Sequence, residues 1–97
     1  VGPTEDQLKE NGTAYTVRKS FYRSNGKAVA MEETEGLLKL LVGEDGKLLG
    51  CHAYGAHAAD MVQEVSALIC RNTTVDELHD IIHIHPTLSE ILLDAVM

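Results

Sequence analysis

The sequence predicts one α+β domain over residues 1–97, a mainly antiparallel sheet of two hairpins packed against helices. Three observations carry this reading. Short apolar-rich runs fill the first half, interleaved with polar residues over 14 to 23 and leucine-rich over Gly36 to Val42, where a helix is the alternative to a strand. Two turn signals, Asn25-Gly26 and Asp45-Gly46, interrupt those runs. From about residue 57 the apolar spacing changes to three and four, the period of a helix. At 97 residues and 44% hydrophobic, the chain can bury one core without staples.

Thr4-Glu5-Asp6-Gln7 has the spacing of a capping box and opens a short helix that stops at Asn11-Gly12. Residues 14 to 23 set Tyr15, Val17, Phe21 and Tyr22 among Thr16, Arg18 and Ser20, a strand with one wet face. Asn25-Gly26 then predicts a hairpin whose second strand is Lys27 to Met31. Glu32-Glu33-Thr34-Glu35 reads as a solvated connection. Gly36 to Val42 and Lys47 to Tyr54 form the second hairpin, with Lys39 on an edge or wet face and Gly50 and Gly55 allowing a bend or a close backbone approach.

A helix runs from about residue 57 to Cys70 on the stripe Ala58, Met61, Val62, Val65, Leu68, Ile69, and Asn72 supplies a left-handed end. Thr74-Val75-Asp76-Glu77 repeats the capping box, before the stripe Val75, Leu78, Ile81, Ile82. Leu88, Ile91, Leu92, Ala95 and Val96 make the last apolar helical face.

Composition excludes several function classes. Eight basic against fifteen acidic residues give a net charge of -7, which repels phosphate backbones and anionic membrane surfaces. No nucleic acid or membrane partner is therefore expected. Cys51 and Cys70 are too far apart for a paired-cysteine redox or zinc pattern; both are read as buried, reduced thiols, which fits a cytoplasmic location. Phosphate loops and Ser/His/Asp orders are missing. The chain starts at Val1 without an initiator Met, a signal peptide or an apolar run long enough to span a bilayer, and it reads as a piece excised from a longer protein.

The candidate chemistry lies in His83-Ile84-His85-Pro86-Thr87-Leu88-Ser89-Glu90. Pro86 keeps His85 extended and lets a helix begin after it, so the stretch is a corner. In one reading Thr87 and Glu90 are a capping box and His85 is an ordinary polar residue. In the other, Glu90 orients one nitrogen of His85, raises its proton affinity and leaves the other nitrogen as a base. A third arrangement gathers His83, His85 and Glu90 around zinc, but the Pro86 turn opposes it, and no metal site is assigned. His52, His57 and His79 read as surface or packing histidines.

The octapeptide resembles the C-terminal signature of the flavin-dependent pyridine nucleotide-disulfide oxidoreductases, and its Thr-Leu-Ser-Glu form is similar to the dihydrolipoamide dehydrogenase branch. Val1-Gly2-Pro3-Thr4-Glu5, Gly36-Leu37-Leu38-Lys39-Leu40, Leu49-Gly50-Cys51-His52-Ala53-Tyr54-Gly55 and Ala59-Asp60-Met61-Val62-Gln63-Glu64 extend the resemblance to the family's C-terminal dimerisation domain. The resemblance implies a parent enzyme that is a homodimer carrying FAD and NAD, neither bound by this piece alone. It implies a reaction in which the dithiol of a lipoyl-bearing acyltransferase or other lipoyl protein is oxidised. It also implies that His85 and Glu90 form the catalytic acid-base pair, delivered to the partner subunit's redox disulfide. By the same resemblance the His85-Pro86 peptide is cis, and the His85 main chain and Pro86 face the partner's FAD. Two alternatives stand beside this: a dimerisation or interaction module with no catalytic role, and a glutathione-reductase-like member of the same family.

Overall fold

The computed structural model describes all 97 residues, Val1 to Met97. Thr4 caps helix α1 (Glu5–Glu10): its hydroxyl accepts from the Gln7 N–H, and the Gln7 side chain accepts from the Thr4 N–H. Strands β1 (Tyr15–Phe21), β2 (Gly36–Gly43) and β3 (Leu48–Gly55) form one antiparallel sheet in the order β1-β2-β3. Only β2 and β3 are joined by a tight turn. Leu41 pairs with Gly50 and Val42 with Leu48, so Leu49 is an extra residue on β3. Such a bulge breaks strict alternation. Consistently, Leu40, Leu41 and Val42 are all buried.

The α+β class is as the sequence predicts, but the first hairpin is corrected. Residues after β1 form one 3-10 turn (Tyr22–Ser24) and helix α2 (Gly26–Ala30) in place of a strand at Lys27 to Met31. The physical reason is Asn25. Its Oδ1 accepts from the Ala28 N–H at 2.9 Å, so the residue starts a helix rather than a two-residue turn.

Helix α3 (Ala58–Cys70) lies on β3, and helix α5 (Glu90–Val96) lies against β1 and β2 with α4 (Val75–Asp80) beside it. Asn72 ends α3 in the left-handed region, with φ at 55°. Thr74 and Glu77 complete the second capping box. The main core joins Leu38, Leu40 and Cys51 of the sheet to Met61 and Val65 of α3, Leu78 of α4, and Ile91 and Leu92 of α5. The other sheet face is covered near α1, where Glu5 accepts from Tyr15 at 3.1 Å and from Lys39 at 2.8 Å.

Tyr22 sits where the sheet meets α3. Gly36 and Gly55 are register partners on β2 and β3, and the Tyr22 ring lies over both. Its hydroxyl donates to the Ala56 carbonyl at 2.6 Å. The missing side chains of the two glycines make room for one buried aromatic ring. Cys51 is buried as expected, and burial pushes its thiol up to about 11. Cys70 is corrected to exposed: it lies one residue past the half-buried Ile69, and a 100° step carries it off the apolar stripe.

Candidate functional site

The corner between α4 and α5 has no regular secondary structure, and side chains hold its shape. Ile81 leaves α4 in an extended conformation, and the His85-Pro86 peptide is cis. Thr87 donates its hydroxyl to the Ile84 carbonyl at 2.6 Å and its N–H to Glu90 Oε1 at 3.0 Å. Only half of the anticipated capping box is therefore formed: Glu90 reaches back, but the Thr87 hydroxyl turns to Ile84 instead of to the helix.

Glu90 is also the partner of His85. His85 Nδ1 lies 2.9 Å from Oε1 and 3.2 Å from Oε2. A carboxylate accepts, so Nδ1 carries the proton and Nε2 is left with its lone pair. Nε2 has no partner within the chain, and the His85 side chain is 77% exposed against 25% for Glu90. The Thr87 N–H, and after it the His85 hydrogen bond, holds the Glu90 carboxyl below the usual glutamate range against the opposing effect of desolvation. The Glu90 contacts that the two sequence readings anticipate are thus both present, without the Thr87 hydroxyl half of the cap. One oxygen, Oε1, serves both the Thr87 amide and the imidazole.

His83 does not join this pair. Its Nε2 is 2.8 Å from Glu64 Oε2 on α3, and its Nδ1 is 3.1 Å from the Ile81 carbonyl. With His83 on Glu64 and His85 on Glu90, the two imidazoles turn to different carboxylates, and no group of three metal-ligating side chains converges.

Two supports were not legible in the sequence. Asn25, 3% exposed, donates from Nδ2 to the Thr87 carbonyl at 3.1 Å, so the residue that caps α2 also holds the corner. Glu64 is the second. A cleft of about 570 Å³ lies behind the corner, between Lys27 and Met31 of the α2 end, His57 and Met61 at the start of α3, and Pro86 to Ser89. His85 does not line it.

Residues 1–96 match the pyridine nucleotide-disulphide oxidoreductase dimerisation domain. The chain belongs to this family. Among curated relatives, the dimerisation domain is 42% identical over 100 residues to dihydrolipoyl dehydrogenase of Synechocystis, covering 98% of this chain and 21% of that protein. Dihydrolipoyl dehydrogenase of Bacillus subtilis is 41% identical over 96 residues, covering 98% of this chain and 20% of the relative. The chain thus spans about a fifth of the length of the curated relatives it matches. Among solved structures, the HOCl-induced flavoprotein disulfide reductase RclA of Escherichia coli superposes with a TM-score of 0.92 at 29% identity, over 99% of this chain and 22% of that one. LpdA of Mycobacterium tuberculosis shares the fold with a TM-score of 0.87 at 20% identity, over 99% of this chain and 21% of that one. The dimerisation domain is a part of flavin-linked disulfide oxidoreductases, and the family's name describes dimer formation.

Proposed function

We propose that this dimerisation domain supplies the acid-base pair of a dihydrolipoamide dehydrogenase, with His85 as the proton acceptor and Glu90 as its orienting carboxylate. The observation that carries the reading is the His85 Nδ1 to Glu90 contact at 2.9 Å beside an exposed, unpartnered Nε2. An imidazole so arranged has one tautomer and one free lone pair.

The chemistry needs such a group. A dithiol reacts with a disulfide as its thiolate, and a free thiol is mostly protonated at neutral pH. His85 Nε2 takes the proton from a substrate S–H. The thiolate sulfur then attacks a disulfide sulfur and the other sulfur leaves as a thiolate. While His85 carries the proton, the carboxylate of Glu90 stabilises the imidazolium, and His85 later returns the proton to solvent or to a sulfur. FAD and NAD, bound by the rest of the parent enzyme, supply the passage of two electrons away from the sulfurs. The His85 carbonyl makes no hydrogen bond within the chain, which fits a main-chain contact from His85 and Pro86 to the partner's flavin. A lipoyl-bearing protein is the proposed substrate on the strength of the dihydrolipoyl dehydrogenase relatives.

The test is dihydrolipoamide-dependent NAD reduction by the full-length enzyme, wild type against His85→Gln, with dimer and flavin content measured in both. Loss of a positioned base lowers turnover by about 10²- to 10⁴-fold. A dimeric, flavin-loaded variant that turns over normally would leave a domain for assembly alone. The Thr87 N–H bond to Glu90 is what favours that second reading.

A further inference from the structure

We propose that His83 and Glu64 form a positioning pair that ties the His85 corner to α3 and so fixes the direction in which it leaves α4; the inference rests on the reading of His85 as the base. The two histidines are two residues apart, and between and before them Ile84 and Ile82 are 69% and 87% exposed. The two imidazoles have opposite environments. His85 is mostly exposed and has a free nitrogen, whereas the His83 side chain is 3% exposed and both of its nitrogens are engaged.

That engagement excludes His83 as a base. The Ile81 carbonyl only accepts, so Nδ1 carries a proton. The other nitrogen, Nε2, is engaged by Glu64 at 2.8 Å. Neither ring nitrogen is left free. What the pair provides is attachment. Of residues 82 to 85, only His83 is hydrogen-bonded to α3, and the segment's other ties are local: the Ile81 N–H to Leu78, the Thr87 hydroxyl to Ile84 and His85 to Glu90. Met61 and Val65 of α3 are in the core, and Glu64 lies between them on the same helix. The pair therefore couples a segment without secondary structure to a helix anchored in the core, two residues before the imidazole that must meet a sulfur on another subunit. A misplacement of about 1 Å at a reacting group costs up to roughly 10²-fold in rate.

The experiment uses the full-length flavoprotein and compares Glu64→Ala, His83→Ala, the double variant, Glu64→Gln and His85→Gln in dihydrolipoamide-dependent NAD reduction. Each variant is checked for flavin content and dimerisation. Glu64→Ala is expected to lower kcat by about 10- to 100-fold with KM changed by less than about twofold. Glu64→Gln keeps an acceptor for the imidazole N–H and is expected to restore most of that loss. The double variant should lose no more than the worse single, because both remove one contact. Near-normal turnover in both alanine variants beside a silent His85→Gln would overturn the positioning role and leave the base reading intact. A double variant that loses the product of the two singles would also overturn it. Normal turnover in His85→Gln would remove both.

Discussion

Replacing Gly36 by alanine tests how the sheet is joined to α3. The new Cβ would stand 2.5 to 2.8 Å from three atoms of the Tyr22 ring. Carbon atoms pack at about 3.5 to 4.0 Å, so the ring must retreat by roughly 1 Å. It has nowhere to go. Tyr22 is fully buried, and Gly55 lies under the same ring with a Cβ position 2.6 Å from it. Overpacking of this kind costs about 1 to 3 kcal/mol. A displaced ring also loosens the hydroxyl bond to Ala56, which adds about 1 kcal/mol. A total of about 2 to 4 kcal/mol lowers the melting temperature of a domain of this size by at least roughly 8 °C. Thermal unfolding of the chain followed by circular dichroism measures it. Gly26→Ala is the control: nothing lies within 4 Å of that position, at the first residue of α2, so its melting temperature should hold or rise slightly. In a Tyr22→Ala background the cost of Gly36→Ala should largely disappear. A Gly36→Ala protein that melts within about 2 °C of wild type would refute the packing argument.

Glu90→Gln keeps an oxygen for both the Thr87 amide and the imidazole but removes the charge, so turnover of the full-length enzyme should fall less than in His85→Gln. Because the Glu90 pKa is depressed in the folded chain, its contribution to stability is present above the ordinary glutamate value and is lost as pH falls through the lowered one. A carbon-detected titration of Glu90 should accordingly give a midpoint below about 4.3, and a midpoint at or above that value would contradict the hydrogen-bonded corner. With its thiol pushed to about 11, buried Cys51 should resist iodoacetamide at pH 8 while exposed Cys70 reacts, as peptide mass mapping would show. Thr74→Ala should cost about 0.5 to 2 kcal/mol in chemical unfolding through loss of the α4 cap.

Much of this architecture was legible because its determinants are local. Thr4 with Gln7 and Thr74 with Glu77 announce their helices three residues ahead, Asp45-Gly46 marks the β2–β3 turn, and the stripe from Met61 to Ile69 has the helical period. Asn25 shows where such reading ends. The same residue type suits a hairpin and a helix cap, and the choice was decided by contacts with Ala28 nearby and with Thr87 62 residues away. The His85–Glu90 pair spans five residues and could be anticipated from the corner. Glu64 lies 19 residues before His83, and nothing in local spacing links them. A carboxylate placed next to Val65 in an apolar stripe was the only trace.

The shared oxygen of Glu90 ties reactivity to conformation. If the first turn of α5 frays, the Thr87 amide and the imidazole lose their acceptor together, and His85 is released as an ordinary solvated side chain with no fixed tautomer. The orientation of His85 and the folding of the first turn of α5 are therefore one event, kept or lost together.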